Sequence, residues 1–506
     1  MAAIVCDCYT GDSLKRYIDA MGIPSLKERD FVKGIGEYLK KTHNKVYSIS
    51  GLRGVGKTTG ILQAIANLDA YPSSVYITID ETASMDCKDL RDVLLNYSEK
   101  TYIFIDEITR INELISGCGF LCDKLVCEGK RVVISGTDSL SLVKSSGSGL
   151  YHRVFHKNVT HISYSEAQKT IGLTLPQYID FGGLYATDAI RDLSGVRQYI
   201  ETAVIDNIMH TLRKNKQVTS LLGLYAVDPI ALRTMVFRIL YAVIYTSIKP
   251  SRVTNLLKFI NQYAFADSEY YDARTLNTLV CAQMDVDEQI TVPVSVIQNI
   301  LHAMVDIGIL ICVPNLACPQ EQSYYITNPS IVTQLTRAIL TTLDTTGLPR
   351  KPGWNINSTR GLVFESVLMV HTDLMAQKLG CNTYYYHNNS DHSEIDLIVA
   401  KQYDDAFESK LLLYEVKFTN DPDVAVLKTK WLNDHGVNDE IRAYGTVVGR
   451  SIIYSGKSLH FEDFSSTDLY PPKDTTLEEI RMKNAHTQLL NAEEYLFSLK
   501  DLLCSI

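Results

Sequence analysis

Apolar and polar positions follow two rhythms along the chain. Val46-Tyr47-Ser48-Ile49-Ser50 is a short β-like run, and Ile61, Leu62, Ile65 and Leu68 after it keep helical spacing. Residues 102–107, YIFIDE, form an apolar run that ends in two acids, which predicts a buried parallel strand. Arg131-Val132-Val133-Ile134-Ser135-Gly136-Thr137-Asp138 predicts another. From about 166 to 225 the spacing is helical, as in LTLPQYI and VRQYIETAVIDNIMHTL. Asp228-Pro229 marks a break before a largely apolar helix, IALRTMVFRILYAVIYTSI. Residues 294–313 run from helix into strand, and SYYITNP at 323–329 supplies a second strand. Helices followed by a short hairpin suggest a winged helix. The helix at 294–306 carries no Lys or Arg, so DNA docking through it competes with a packing or dimerisation role.

After a linker at 345–353 the pattern changes. A helix opens at Arg360-Gly361-Leu362-Val363-Phe364-Glu365. Tyr384 to His387 is β-like, Asn388 to Asp391 a turn, and Ser393–Val399 and Leu411–Lys417 read as strands. The tail from Pro471-Pro472 to 506 is amphipathic. Leu477, Ile480, Leu489, Leu490, Tyr495 and Leu499 are its candidate apolar positions, and it is expected to dock on its own domain or a partner subunit.

Composition narrows the class. The 506 residues are 46% hydrophobic and 21% charged, which excludes disorder along the whole chain. No apolar stretch approaches the roughly 20 residues a membrane helix needs, and no signal peptide is read at the start. Eleven Cys without a C-x-x-C pair point away from a zinc ribbon. Cys118, Cys122 and Cys127 are expected on a helix as buried thiols, and free thiols favour a reducing cytoplasm. A net charge of −9 argues against a non-specific nucleic-acid coat but leaves room for a local basic groove.

GLRGVGKTT at 51–59 carries the first chemistry. It fits G-x-x-x-x-G-K-[ST], placed between a strand and a helix as that motif requires. Gly51, Gly54 and Gly56 let the backbone N–H groups, with those of Val55 and Thr59, face a phosphate. Lys57 would reach the β- and γ-phosphates, and the Thr58 hydroxyl would bind Mg²⁺. Asp106 would hold the Mg²⁺ shell, and Glu107 would polarise the attacking water. Ser135 or Thr137 would sense the γ-phosphate. Past a Gly/Ser-rich linker at 145–149, Arg153 is either an arginine finger toward a neighbouring subunit or a surface residue.

A second constellation lies toward the carboxyl end. Strand alternation puts Glu394 and Asp396 on one face and Glu415 and Lys417 on one face. A paired hairpin would gather Asp396, Glu415 and Lys417, with Glu365 arriving from the preceding helix. Carboxylate oxygens there suit Mg²⁺ or Mn²⁺, and Lys417 would position water or neutralise charge. His387 and His392 read as surface loop residues.

These motifs, with the H-R-V and I-S-Y-S-E-A segments, resemble AAA+-type ATPases. More narrowly, they resemble prokaryotic ATPases that carry a restriction-endonuclease-like domain. Tyr178–Gly183 and Arg197–Glu201 look like that family's lid. Glu365, Asp396, Glu415 and Lys417 resemble the PD-(D/E)XK nuclease pattern, although no Pro precedes Asp396. The resemblance implies an α/β chain with five parts: an AAA+-like P-loop core (1–165), a helical lid (166–227), a winged helix (228–345), a nuclease-like domain (346–470) and a helical tail (471–506). The function it implies is ATP hydrolysis coupled to a metal-dependent DNA nuclease. The alternative is a regulatory ATPase whose nuclease-like domain only binds nucleic acid or protein. ATP and DNA are the expected partners, with a possible homo-oligomer and no membrane.

Overall fold

The computed structural model describes residues 6–80, 85–111, 119–137, 153–185, 193–209, 229–247, 294–346, 356–388, 393–401, 409–427, 429, 435–456 and 487–506. The linkers at 145–149 and 347–353, His392, Cys118, the Cys122 side chain and the tail up to 486 lie outside the described residues.

The first sheet has six strands: β1 (Cys6–Thr10), β2 (Val46–Ser50), β3 (Ser74–Ile79), β4 (Tyr102–Asp106), β5 (Arg131–Gly136) and β6 (Val154–Asn158). Their order is β1-β3-β4-β5-β2-β6. β1 pairs antiparallel with β3, and every other pair is parallel. Helices α1 (Gly11–Ala20), α2 (Phe31–Lys40), α3 (Lys57–Leu68) and α4 (Cys87–Leu95) belong to the same part of the chain.

The unbroken apolar runs arise because both faces of this sheet are covered. Phe104 and Val133 pack into a core with Ile61 and Ile65 of α3. Their neighbours Ile103, Ile105, Val132 and Ile134 face a second core with Leu90 and Leu94 of α4. Since β5 lies between β2 and β4, the carboxyl ends of all three strands meet along one edge, where open α/β sheets bind ligands.

Next come α5 (Tyr164–Ile171), α6 (Leu175–Phe181) and α7 (Leu193–Tyr199). The helix expected from VRQYIETAVIDNIMHTL widens at Ile200–Ile205 into a looser helical turn. Then follow α8 (Pro229–Ser247), α9 (Val294–Asp306) and an antiparallel hairpin, β7 (Leu310–Pro314) with β8 (Gln322–Ile326). Among the described residues, no helix is long and apolar enough to cross a membrane.

Two long helices, α10 (Pro329–Thr346) and α11 (Ile356–Lys378), lead to the second sheet. It comprises β9 (Asn382–Asn388), β10 (Ser393–Lys401), β11 (Ser409–Lys417), β12 (Gly445–Tyr454) and β13 (Gln488–Asn491), in the order β13-β12-β11-β10-β9. The short helices α12 (Pro422–Leu427) and α13 (His435–Arg442) precede β12, and α14 (Ala492–Cys504) closes the chain. The hairpin reaches this sheet. Leu316 N–H donates to Tyr385 O at 2.8 Å, and Asn315 Nδ2 donates to His387 O at 2.9 Å.

Several readings change here. Leu489 and Leu490 lie on β13 rather than on a tail helix, because β13 completes the sheet beside β12. The helix begins only at Ala492, where the Asn491 side chain caps it and Glu494 answers as a capping box. Asn388 belongs to β9, not to a turn, and His387 is buried on that strand. Cys127 is exposed, in the turn after Leu121–Val126.

Candidate functional site

Gly56 N-caps α3, and Gly54 and Gly56 both adopt left-handed φ, +78° and +88°. Only glycine takes these angles readily. Lys57 is 4% exposed, and its Nζ donates to Gly51 O at 2.8 Å and Leu52 O at 3.0 Å. Burial pushes its ammonium below the ordinary value, against the pull of Glu107 and Asp106. The positive group is thus held inside the loop's curve by two carbonyls that a phosphate oxygen can outcompete.

Asp106 ends β4 and is 2% exposed. The Thr58 hydroxyl donates to its Oδ2 at 2.6 Å and the Tyr76 hydroxyl at 2.9 Å, while Ser135 donates to Oδ1. A hydroxyl and a carboxylate oxygen side by side are the hard donor set that suits Mg²⁺, so the residues present fit that ion. Glu107 follows with φ +57°, a rare angle for a residue other than glycine. This turn sends its side chain toward Thr137, whose hydroxyl donates to Oε2 at 2.5 Å. Burial would raise the Glu107 carboxyl, but Lys57, the Thr137 bond and Arg110 hold it below the usual range. The two candidates on β5 and just after it therefore divide: Ser135 touches Asp106, and Thr137 touches Glu107.

Arg153 sits at the amino end of β6, where its carbonyl accepts from Val46 N–H, and it is ion-paired with Asp123. That is the end of the sheet opposite the loop, so Arg153 does not reach the site of its own chain.

Three features escaped sequence reading. Arg29 and Glu166 form a buried ion pair, Nε to Oε1 at 3.0 Å and Nη2 to Oε2 at 2.7 Å. Arg29 also donates to Val55 O in the loop, and Asp30 N–H donates to Glu166 Oε1 at 2.8 Å. Close to Glu166 in the chain, Tyr164 N–H donates to His371 Nε2 at 2.8 Å, tying α5 to α11. Arg29, His161, Glu166, Tyr178, His371 and Lys378 help line a cavity of about 190 Å³ there.

In the second sheet, β10 and β11 pair antiparallel with Leu397 opposite Tyr414, which sets Asp396 beside Glu415. Val416 N–H donates to Asp396 Oδ2 at 2.7 Å. Lys417 Nζ lies 3.7 Å from Asp396 Oδ2 and is hydrogen-bonded to Glu415, which is 6% exposed. Burial works against the Lys417 ammonium, but Glu415 and Asp396 raise it above its ordinary value. Burial, then Asp396 and Glu394, push the Glu365 carboxyl well above the usual range. Burial and Asp396 push Glu394 up to about 7. The expected four residues do interact electrostatically. Among the described residues, however, no three Asp, Glu, His or Cys side chains are arranged to hold a metal ion. Glu415 is engaged by Lys417 instead.

Residues 43–168, a quarter of the chain, match the family model described as an AAA domain. No curated protein matches the chain. Solved structures with partial likeness include Saccharomyces cerevisiae Hsp104 in complex with casein, at 16% identity, 45% of this chain, 41% of that chain and a TM-score of 0.26. The RuvB Holliday junction branch migration motor of Thermotoga maritima is 11% identical over 68% of this chain and 96% of that one, with a TM-score of 0.25. Cdc6p from Pyrobaculum aerophilum is 14% identical over 67% and 97%, with a TM-score of 0.22. The chain spans less than half the length of the Hsp104 chain it matches. At such low scores, nothing about activity or partners follows from these likenesses.

Proposed function

We propose that the core binds and hydrolyses ATP. The observation that carries this reading is the meeting of Thr58 and Ser135 on the two oxygens of Asp106, directly beside the buried Lys57. Backbone N–H groups of Gly54, Val55, Gly56, Thr58 and Thr59 cradle the phosphates. Lys57 leaves the Gly51 and Leu52 carbonyls for the β- and γ-phosphate oxygens. Thr58 and Asp106 hold Mg²⁺, which when bound neutralises charge developing on the phosphates. Glu107, kept ionised, accepts a hydrogen bond from the attacking water and takes its proton. Thr137 aims that carboxylate, and Ser135 fixes the orientation of Asp106. As an arginine finger, Arg153 would act on a neighbouring subunit of a homo-oligomer.

Titration calorimetry with ATP and Mg²⁺ should show binding to the wild type and none to Lys57→Ala, and phosphate release should vanish in that variant. A well-folded wild type that takes up no adenine nucleotide overturns the reading.

A second reading concerns the region after the hairpin. The convergence of Asp396, Glu415 and Lys417 supports a nuclease-like domain that acts on DNA under ATP control. The engagement of Glu415 by Lys417 favours its alternative, a module that binds nucleic acid or protein without cutting. Incubation of supercoiled DNA with Mg²⁺ or Mn²⁺ separates the two: nicking lost in Asp396→Ala supports a nuclease, and nicking unchanged in that variant removes it.

A further inference from the structure

In the segment Gly182-Gly183-Leu184-Tyr185, the last two residues lie directly on the phosphate loop. Tyr185 N–H donates to Gly54 O at 2.9 Å, and the Tyr185 hydroxyl donates to Lys27 O at 2.6 Å. The Leu184 side chain is buried against Gly54, and the Tyr185 ring lies against Gly56. A Cβ placed on either glycine would come within 3.2 Å of them.

The other end of this segment is tied to the start of α10. Ser330 Oγ donates to Gly182 O at 2.9 Å. Gly183 has φ +96°, and a Cβ there would meet Asn328 Cγ at 2.7 Å. From α10 the connection continues: Arg337 pairs with Asp180 at 2.9 Å, and Arg360 of α11 lies 3.7 Å from the same carboxylate. Arg360 precedes Glu365 by little more than one helical turn.

Two details bear on how the segment would respond to the loop. Lys57 is bonded to the Gly51 and Leu52 carbonyls of its own loop, and a phosphate that takes its ammonium frees both of them. Asn328 is fully buried, and its Oδ1 accepts from the backbone N–H groups of Ser330 and Ile331. Its Nδ2 has no partner among the described residues and faces Gly183. A buried donor without an acceptor is costly.

We propose that Gly182–Tyr185 is a positioning strap that reports occupancy of the phosphate loop to the start of α10, and through Asp180 to α11. This rests on the reading of the loop as a nucleotide site and names the regulation of that site. Coupling between two sites is reciprocal. Loosening the α10 end therefore alters nucleotide affinity although no phosphate-contacting residue is touched.

The test is hydrogen exchange of the full chain with and without ADP and Mg²⁺, alongside ADP affinity by calorimetry. In the wild type, ADP should change amide protection at 183–185 and at 330–333. Ser330→Ala and Gly183→Ala should each shift ADP affinity by at least about fivefold and abolish the response at 330–333, while protection along β2 and β4 stays as in the wild type. The variants are independent, so misfolding of Gly183→Ala leaves Ser330→Ala to decide. The strap is overturned if wild type binds ADP with no change at 330–333. It is equally overturned if Ser330→Ala keeps both affinity and response. Failure of wild type to bind ADP at all would instead sink the nucleotide reading.

Discussion

The Arg29–Glu166 pair allows a demanding test. Glu166 accepts three hydrogen bonds, two from Arg29 and one from Asp30 N–H, with side chains only 6% and 11% exposed. Burial works against the Glu166 carboxylate, yet Arg29 and Asp30 N–H hold its pKa below the usual range. Glu166→Ala removes all three hydrogen bonds and leaves a guanidinium buried without its counter-charge, which costs about 3–5 kcal/mol. Replacing both partners with apolar residues, Arg29→Met with Glu166→Leu, should recover most of that loss, because no charge is left stranded. It should nevertheless weaken nucleotide binding, because Val55 O loses the Arg29 donor that fixes the loop. Urea unfolding followed by circular dichroism measures the first effect, and calorimetry with ADP the second. A Glu166→Ala protein within about 1 kcal/mol of wild type, or a double variant no more stable than the single one, would refute the argument.

Other outcomes follow from the same geometry. Glu107→Gln should bind ATP with near wild-type affinity yet lose at least about a hundredfold in phosphate release, since a neutral amide cannot take the proton from water; stopped-flow phosphate detection checks this. Thr137→Ala, which frees the Glu107 carboxylate to wander, should lower the turnover rate more than it changes the Michaelis constant in steady-state kinetics. His371 is held neutral, its pKa lowered by burial to about 4 from 6.5. The stability it allows is therefore complete above pH 6.5 and is lost as pH falls toward 4. The full loss amounts to about 3 kcal/mol at most. Thermal melts between pH 4.5 and 7.5 should show His371→Gln losing less stability than wild type on acidification; parallel curves would exclude the effect.

The phosphate loop and Asp106-Glu107 were legible because each is a contiguous string whose flanks announce strand and helix. The division of labour between Ser135 and Thr137 was not, since it depends on β5 lying between β2 and β4. Glu166 was invisible as a partner of Arg29 because 137 positions separate them. The ordered acids at 365, 396 and 415 were found from alternation alone. Periodicity could not reveal that Lys417 would engage Glu415, because that is a matter of rotamer and burial. The tail was misread for a simple reason: Leu489 and Leu490 fit either period, and only an open place beside β12 decided between them. The strap left no signal beyond two adjacent glycines, whose need appears only once Tyr178 and Asn328 crowd around them.

The contact between Asn315-Leu316 and β9 has a consequence for dissecting the chain. β9 is the outermost strand of its sheet, and the hairpin supplies the donors and acceptor that engage Tyr385 and His387. Cut away everything before residue 356, and that rim is bared as a sticky template for a second molecule. Such a fragment would self-associate in solution, and its clumping would speak of a missing neighbour rather than of instability within.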